Sequence, residues 1–174
     1  SYEAIAALQP DLILAVYSGI TQEQYDSLSE IAPTVAYPDQ AWSIDWDEQI
    51  EIIGQALGQE DDAAKLVTDL EKQLADEAKK HPDWKNYTFS YVYTTPDTLG
   101  VFKPTEQRAD MVRKLGLKSD PAVDKMKETE GTDSAVIGYE NADKLNDSDL
   151  IFTFYSDPQN RTDTENQPAY KQIP

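Results

Sequence analysis

The chain has no cysteine, a single histidine and two methionines, and its 15 basic side chains face 33 acidic ones. The lack of cysteine removes disulfides, thiol catalysis and thiolate metal sites together, and is compatible with an exported bacterial protein. The one histidine, His81, stands before Pro82 at the end of a long helical pattern, a place that suits a helix terminus rather than catalysis. A formal net charge of −18 argues against nucleic acid or an anionic membrane as partner, because both repel it. It is equally a plain route to solubility. No apolar run is long enough to span a bilayer, and no leader pattern is present. Glycine-rich phosphate loops, a nucleophile elbow and an HExxH pair are all missing. The oxygen-rich stretch Asp157–Glu165 lacks the glycine and spacing of a calcium loop. Carboxylates are numerous, but nothing singles out a pair for acid–base chemistry. At 39% hydrophobic residues, the chain has enough apolar side chains for a core.

One short pattern occurs twice. Glu3 is followed by Leu8 and then Asp11-Leu12-Ile13, and Glu140 by Leu145 and then Asp149-Leu150-Ile151. In each copy a glutamate opens a helical turn and Asp-Leu-Ile enters an apolar strand. Two copies suggest two related α/β lobes with a cleft between them, and a partner that docks across both glutamates. The same pattern is also a common way into any strand.

Asp11–Ser18 reads as a strand buried on both faces, followed by Gly19. Thr21 and Gln24 have the spacing of a capping box, opening a helix that carries Tyr25, Leu28 and Ile31. Pro33 ends that helix and Thr34–Tyr37 forms a second strand, which makes a parallel strand–helix–strand unit. Helices are expected from Asp45 to Leu57, stopped by Gly58, and from Asp61 to Lys80. A second α/β region follows, with strands at Tyr87–Thr94 and Leu99–Phe102 around a Pro96-Asp97 turn. It continues with a helix over Thr105–Leu115, a weaker helical stretch over Pro121–Thr129 and a short strand at Ser134–Ile137. A helical turn at Asn141–Leu145, a buried strand over Asp149–Tyr155 and a polar loop over Ser156–Asn166 complete it. Both ends, at Ser1 and at Ala169–Pro174, read as cut from a longer protein.

Ligands of open α/β sheets bind beyond the carboxyl ends of the strands. That rule selects Tyr17, Ser18 and Gly19, then Tyr37 to Trp42, in the first region. In the second it selects Phe102, Lys103, Gln107 and Arg108, and then Phe154, Tyr155 and Ser156. Aromatic faces with an arginine and a lysine suit a bulky, partly planar ligand carrying negative charge. Each aromatic also fits a core, and Arg108 an ordinary ion pair.

The residues resemble a known family, the substrate-binding proteins of bacterial ABC importers for ferric siderophores, haem and vitamin B12. The matching pieces are Glu3-Ala-Ile-Ala-Ala-Leu-Gln-Pro-Asp-Leu-Ile-Leu14, Tyr25–Ala32 with Pro33-Thr-Val-Ala, and Trp46-Asp-Glu-Gln-Ile-Glu-Ile-Ile-Gly-Gln-Ala-Leu-Gly58. Phe102-Lys-Pro-Thr-Glu-Gln-Arg108 through Lys114-Leu-Gly116 is similar to the ferric-siderophore branch, and Ile137-Gly-Tyr-Glu140 through Asp149-Leu-Ile-Phe152 also fits. The resemblance implies an α/β fold of two Rossmann-like lobes joined by a long helix, the class III periplasmic-binding-protein type, with both lobes incomplete here. The lobes are then assigned as residues 1–42 for the end of the N-terminal lobe, 43–58 for the connecting helix and 59–174 for a truncated C-terminal lobe. The resemblance also implies no catalysis, no cofactor and no protein ligand to a metal, because iron arrives already chelated. Tyr17, Ser18, Trp42, Phe102, Lys103, Gln107, Arg108 and Tyr155 are the expected ligand-binding residues. Glu3 and Glu140 match the paired glutamates that meet the permease. The expected place is the cell envelope, periplasmic or on a lipid anchor outside the cytoplasmic membrane. Haem or cobalamin is the alternative ligand within the family, and a secreted hydrolase lobe using an acidic pair or an acidic interaction module the alternatives outside it.

Overall fold

The computed structural model describes residues 1–95, 98–168 and 170–172, in two units, Ser1–Leu70 and Glu71–Pro174. The expected Pro96-Asp97 turn lies outside the described residues, as do residues 169, 173 and 174.

In the first unit, helix α1 (Tyr2–Ala7) leads to strand β1 (Ile13–Ala15), helix α2 (Gln22–Ser29) and strand β2 (Thr34–Ala36). Helices α3 (Trp46–Leu57) and α4 (Glu60–Lys80) follow, and α4 crosses into the second unit. β1 and β2 pair in parallel, with Leu14 opposite Val35. The capping box of α2 is complete. The Gln24 N–H donates to Thr21 Oγ1 at 3.3 Å, and the Thr21 N–H to Gln24 Oε1 at 2.8 Å. α3 stops at Gly58 as its sequence requires. β1 departs from expectation, being short and part-exposed, with Leu14 open to solvent. A sheet of two strands gives an apolar run too little cover to bury both of its faces.

In the second unit, β3 (Thr88–Thr94) is the central strand, with β4 (Leu99–Phe102), β5 (Lys118–Ser119), β6 (Ser134–Val136) and β7 (Leu150–Thr153) around it. Phe89 pairs with both Ser119 and Leu150, and Val92 with both Val101 and Thr153. Hence β5 and β4 share one edge of β3, β5 parallel and β4 antiparallel, and β7 runs parallel along the other. β6 pairs with β4, completing the sheet.

Side chains alternate between the two faces of this sheet. One face carries Val92, Leu99 and Val101, packed against Val123 of helix α6 (Pro121–Lys125) and against Ala142 and Leu145 of the 3₁₀ segment Tyr139–Leu145. The other face is aromatic. There Phe89 is covered by Ala109 and Val112 of helix α5 (Gln107–Lys114) and by Leu117. A polar chain fastens the aliphatic side. Ser90 and Ser148 share a hydroxyl hydrogen bond of 2.7 Å, and Ser148 donates to the buried Asp120 at 2.6 Å. The second oxygen of Asp120 caps α6 by accepting the Ala122 N–H at 2.7 Å.

The stretch expected as a polar loop is instead helix α7 (Pro158–Asn166). Asp157 accepts the Asn160 N–H at 2.8 Å as its N-cap, and Pro158 takes the first turn, where a missing N–H costs nothing. Gln159–Asp163 and Arg161–Glu165 pairs lie on its exposed surface, and the buried Thr164 meets Thr94 at 2.8 Å. Its one packing residue is a threonine, so no apolar period marks the helix. The strand expected as buried over Asp149–Tyr155 is the shorter β7, whose first residue, Leu150, lies exposed at the edge. No helix among the described residues is long and apolar enough to cross a membrane.

Candidate ligand-binding site

Aromatic side chains form a continuous row across one face of the second unit. Phe102 of β4, Tyr91 of β3 and Phe152 of β7 stand side by side in register, with ring centroids 5.8 Å and 5.9 Å apart. Tyr93 lies 5.0 Å from Phe102, and Phe154 stacks over Phe102 at 6.4 Å. Glycine makes this possible, because a Cβ on Gly100, opposite Tyr93, would overlap the tyrosine ring. α5 packs over Phe89, and Tyr91 and Phe152 lie against the same cluster. The row opens toward Phe154, which is 41% exposed, whereas Phe102 is buried and Tyr91 and Tyr93 are half-buried.

Arg108, in the first turn of α5, lies over this open end. Its Cζ is 5.0 Å from the Phe102 centroid and 5.1 Å from that of Phe154. Two aromatic faces and a guanidinium thus meet at one point, a cation–π arrangement. Glu106 holds the arginine there. Its Oε2 caps α5 by accepting the N–H groups of Arg108 at 2.9 Å and Ala109 at 3.3 Å, and its Oε1 accepts from Arg108 Nη1 at 2.6 Å. The Glu106 carboxylate is buried, whereas the Arg108 side chain remains 37% exposed. Burial pushes the Glu106 carboxyl above its ordinary range, against the opposite pull of Arg108. Burial also raises the Tyr91 phenol above its ordinary range.

Of the expected residues, Phe102 and Arg108 are brought into direct contact. Gln107 lies beside them, with its side-chain Nε2 buried and unpartnered among the described residues. Lys103 is directed elsewhere. Its Nζ donates to the carbonyls of Val123 at 2.7 Å, Asp124 at 3.1 Å and Met126 at 2.9 Å, binding the carboxyl end of α6. Tyr155 shares a hydroxyl hydrogen bond of 3.1 Å with Tyr170 and lies beneath Arg161, whose Cζ is 5.8 Å from its ring. Burial and this bond raise the Tyr170 phenol. Sequence reasoning selected Phe102, Lys103, Gln107, Arg108, Phe154 and Tyr155 in this unit and did not assign Glu106, Tyr91 or Tyr93 to the site. Strand alternation was the available signal, since Tyr91, Tyr93 and Phe102 share a face by period and register.

The first unit places its three expected residues together. Tyr17 and Trp42 meet edge to face at 5.4 Å. Ser18 bridges them to the backbone, donating from Oγ to the Ala15 carbonyl at 2.7 Å while its own carbonyl accepts the Trp42 N–H at 3.0 Å. Trp42 has φ +63°, a left-handed conformation uncommon for a bulky side chain, and is 42% exposed. Its indole lies against Gly19, where any Cβ would collide with it. Nearby, Ile20, Tyr25, Tyr37 and Asp39 line a cavity of about 380 Å³.

Glu3 and Glu140 are both exposed, each in the first turn of its short helical element. Hydrogen bonds from its own N–H and the Ser1 side chain hold the Glu3 carboxyl below its ordinary range. Glu140 Oε1 accepts from Asn141 Nδ2 at 3.1 Å. No group of three or more His, Cys, Asp or Glu able to hold a metal ion occurs among the described residues.

The fold recurs in known proteins. The ferric enterobactin-binding periplasmic protein FepB of Escherichia coli is 28% identical over 183 residues, an alignment spanning 100% of this chain and 56% of FepB. Streptococcus pneumoniae PiaA, solved in complex with ferrichrome, superposes with a TM-score of 0.77 at 32% identity, covering 99% of this chain and 59% of PiaA. Staphylococcus aureus FhuD2 with bound ferrioxamine B gives a TM-score of 0.75 at 25% identity, covering 99% of this chain and 65% of FhuD2. The chain thus spans rather more than half the length of these relatives. The periplasmic binding protein family itself matches residues 1–174, and with the same α/β fold recurring in these structures, the chain belongs to that family.

Proposed function

We propose that the protein binds a ferric siderophore outside the cytoplasm and presents it to an ABC permease. The observation that carries this reading is Arg108, held by the buried Glu106 over the rings of Phe102 and Phe154. A chelated iron complex offers oxygen atoms to a guanidinium and hydrocarbon or ring surface to aromatic faces. The iron arrives fully coordinated, so the protein supplies orientation rather than metal ligands. Three relatives named for, or solved with, ferric enterobactin, ferrichrome and ferrioxamine B support the same ligand class. Glu3 and Glu140, exposed and alike in their setting, are the proposed contacts to the permease, where separated charges fix orientation.

The test is a titration of the protein with ferrichrome, ferrioxamine B, ferric enterobactin, haem and cobalamin, followed by tryptophan fluorescence. Saturable quenching by a ferric siderophore at about micromolar or lower concentration is the expected result. Saturation by haem or cobalamin alone would overturn the siderophore assignment, and no saturation by any of the five would overturn the transport reading.

A further inference from the structure

The distribution of charge bears on which chelating chemistry the protein accepts. Ser1–Leu70, which carries Tyr17 and Trp42, contains fourteen Asp and Glu side chains and one basic residue, Lys65. Lys65 is itself paired with Asp69 along α4. In Glu71–Pro174 the two cations that the strand-end rule selects, Lys103 and Arg108, are both compensated. Lys103 binds three backbone carbonyls at the end of α6. Arg108 meets a buried carboxylate at 2.6 Å, so guanidinium and Glu106 together bring little net positive charge to the platform. Asp133, also buried, acts electrostatically on Glu106 with negative sign. The whole sits in a protein of net charge −18.

Chelate classes differ sharply in charge. Ferric iron bound by three hydroxamates, each having lost one proton, is neutral. Bound by three catecholates, each having lost two, it carries a threefold negative charge. A neutral complex still presents partially negative oxygens, and a guanidinium has several N–H donors in a fixed fork, so pairing with Glu106 is compatible with contacting them. At the platform a trianion meets an arginine already compensated by Glu106, with the buried Asp133 acting on the same carboxylate.

We propose that the Arg108 platform selects ferric chelates without net negative charge, the tris-hydroxamate class, and that Glu106 sets this preference by compensating the charge of Arg108. This rests on the ferric-siderophore reading above. The experiment is calorimetric titration of the protein and of Glu106→Gln with ferrichrome, a neutral tris-hydroxamate complex, and ferric enterobactin, a trianionic tris-catecholate, at low and physiological salt. Glutamine keeps an acceptor for the first N–H groups of α5 while removing the charge. The expected result is a preference for ferrichrome of about 100-fold or more, with ferrichrome affinity insensitive to salt and the preference narrowed about tenfold by Glu106→Gln. Equal or tighter binding of ferric enterobactin by the unaltered protein overturns the proposal without any variant. A preference unchanged in a folded Glu106→Gln removes Glu106 from it. If the unaltered protein binds neither of these chelates nor ferrioxamine B, the siderophore reading itself has failed.

Discussion

The two copies of the Glu–Leu–Asp-Leu-Ile pattern build the same local order of elements and end in different packing. Leu145, in the second unit, is fully buried, while its counterpart Leu8 is 80% exposed. Leu145 lies beneath a sheet whose central strand has partners on both edges and cover on both faces. Leu8 follows α1, which buries no residue, and precedes β1, whose sheet has two strands. A local pattern therefore specifies a turn and a strand. Burial is specified by the layers around it, which the pattern does not encode. Charge separates the units as well, since thirteen of the eighteen net negative charges fall in Ser1–Leu70.

The largest effect that tests this contrast is in the core. Leu145→Ala is expected to lose about 2–5 kcal/mol of unfolding free energy, and Leu8→Ala less than about 0.5 kcal/mol, both read from urea denaturation. Comparable losses would abolish the distinction between the two copies. Next in size are the helix caps. Asp120→Ala removes the cap of α6 and leaves the buried hydroxyl of Ser148 with Ser90 alone, for an expected loss of about 1–3 kcal/mol. Thr21→Ala breaks the exposed capping box of α2 and is expected to cost about 1 kcal/mol or less. A loss at Thr21 equal to that at Asp120 would mean that burial adds nothing to a cap.

The smallest effect is a pH dependence. Glu106 is raised by burial, with Arg108 lowering it and Asp133 raising it further. The native chain therefore holds this proton more tightly than the unfolded chain does. Its contribution to stability falls as pH rises from the ordinary glutamate value through the raised one, and the penalty persists above that window. Glu106→Gln cannot ionise. Its stability relative to the unaltered protein should rise across the same window, by at most about 1.4 kcal/mol for each pH unit that the carboxyl is raised. A difference that is flat with pH would show that Glu106 is not desolvated as the structure has it.

Much of this architecture was legible in the chain. The capping box at Thr21, the stop at Gly58, the strand at Leu99–Phe102 and the long helix up to Lys80 all follow from local chemistry. α7 was missed because its fold signal is a cap and polar pairs rather than an apolar stripe. Within the site, Phe102 and Arg108 follow from the rule about strand ends. Lys103 could not be separated from Arg108 by that rule, because only the fold shows one cation on the carbonyls of α6 and the other over two aromatic rings. Glu106 looked like one acid among 33, and its burial behind Arg108 depends on how α5 docks on the sheet.

The central claim is that Arg108 on its aromatic platform recognises the ferric chelate, and calorimetric titration of Arg108→Ala against ferrichrome tests it most directly. Loss of one charge-assisted hydrogen-bonding group predicts binding about 10- to 100-fold weaker than that of the unaltered protein. An isotherm indistinguishable from the unaltered one would take Arg108 out of the site and contradict the account.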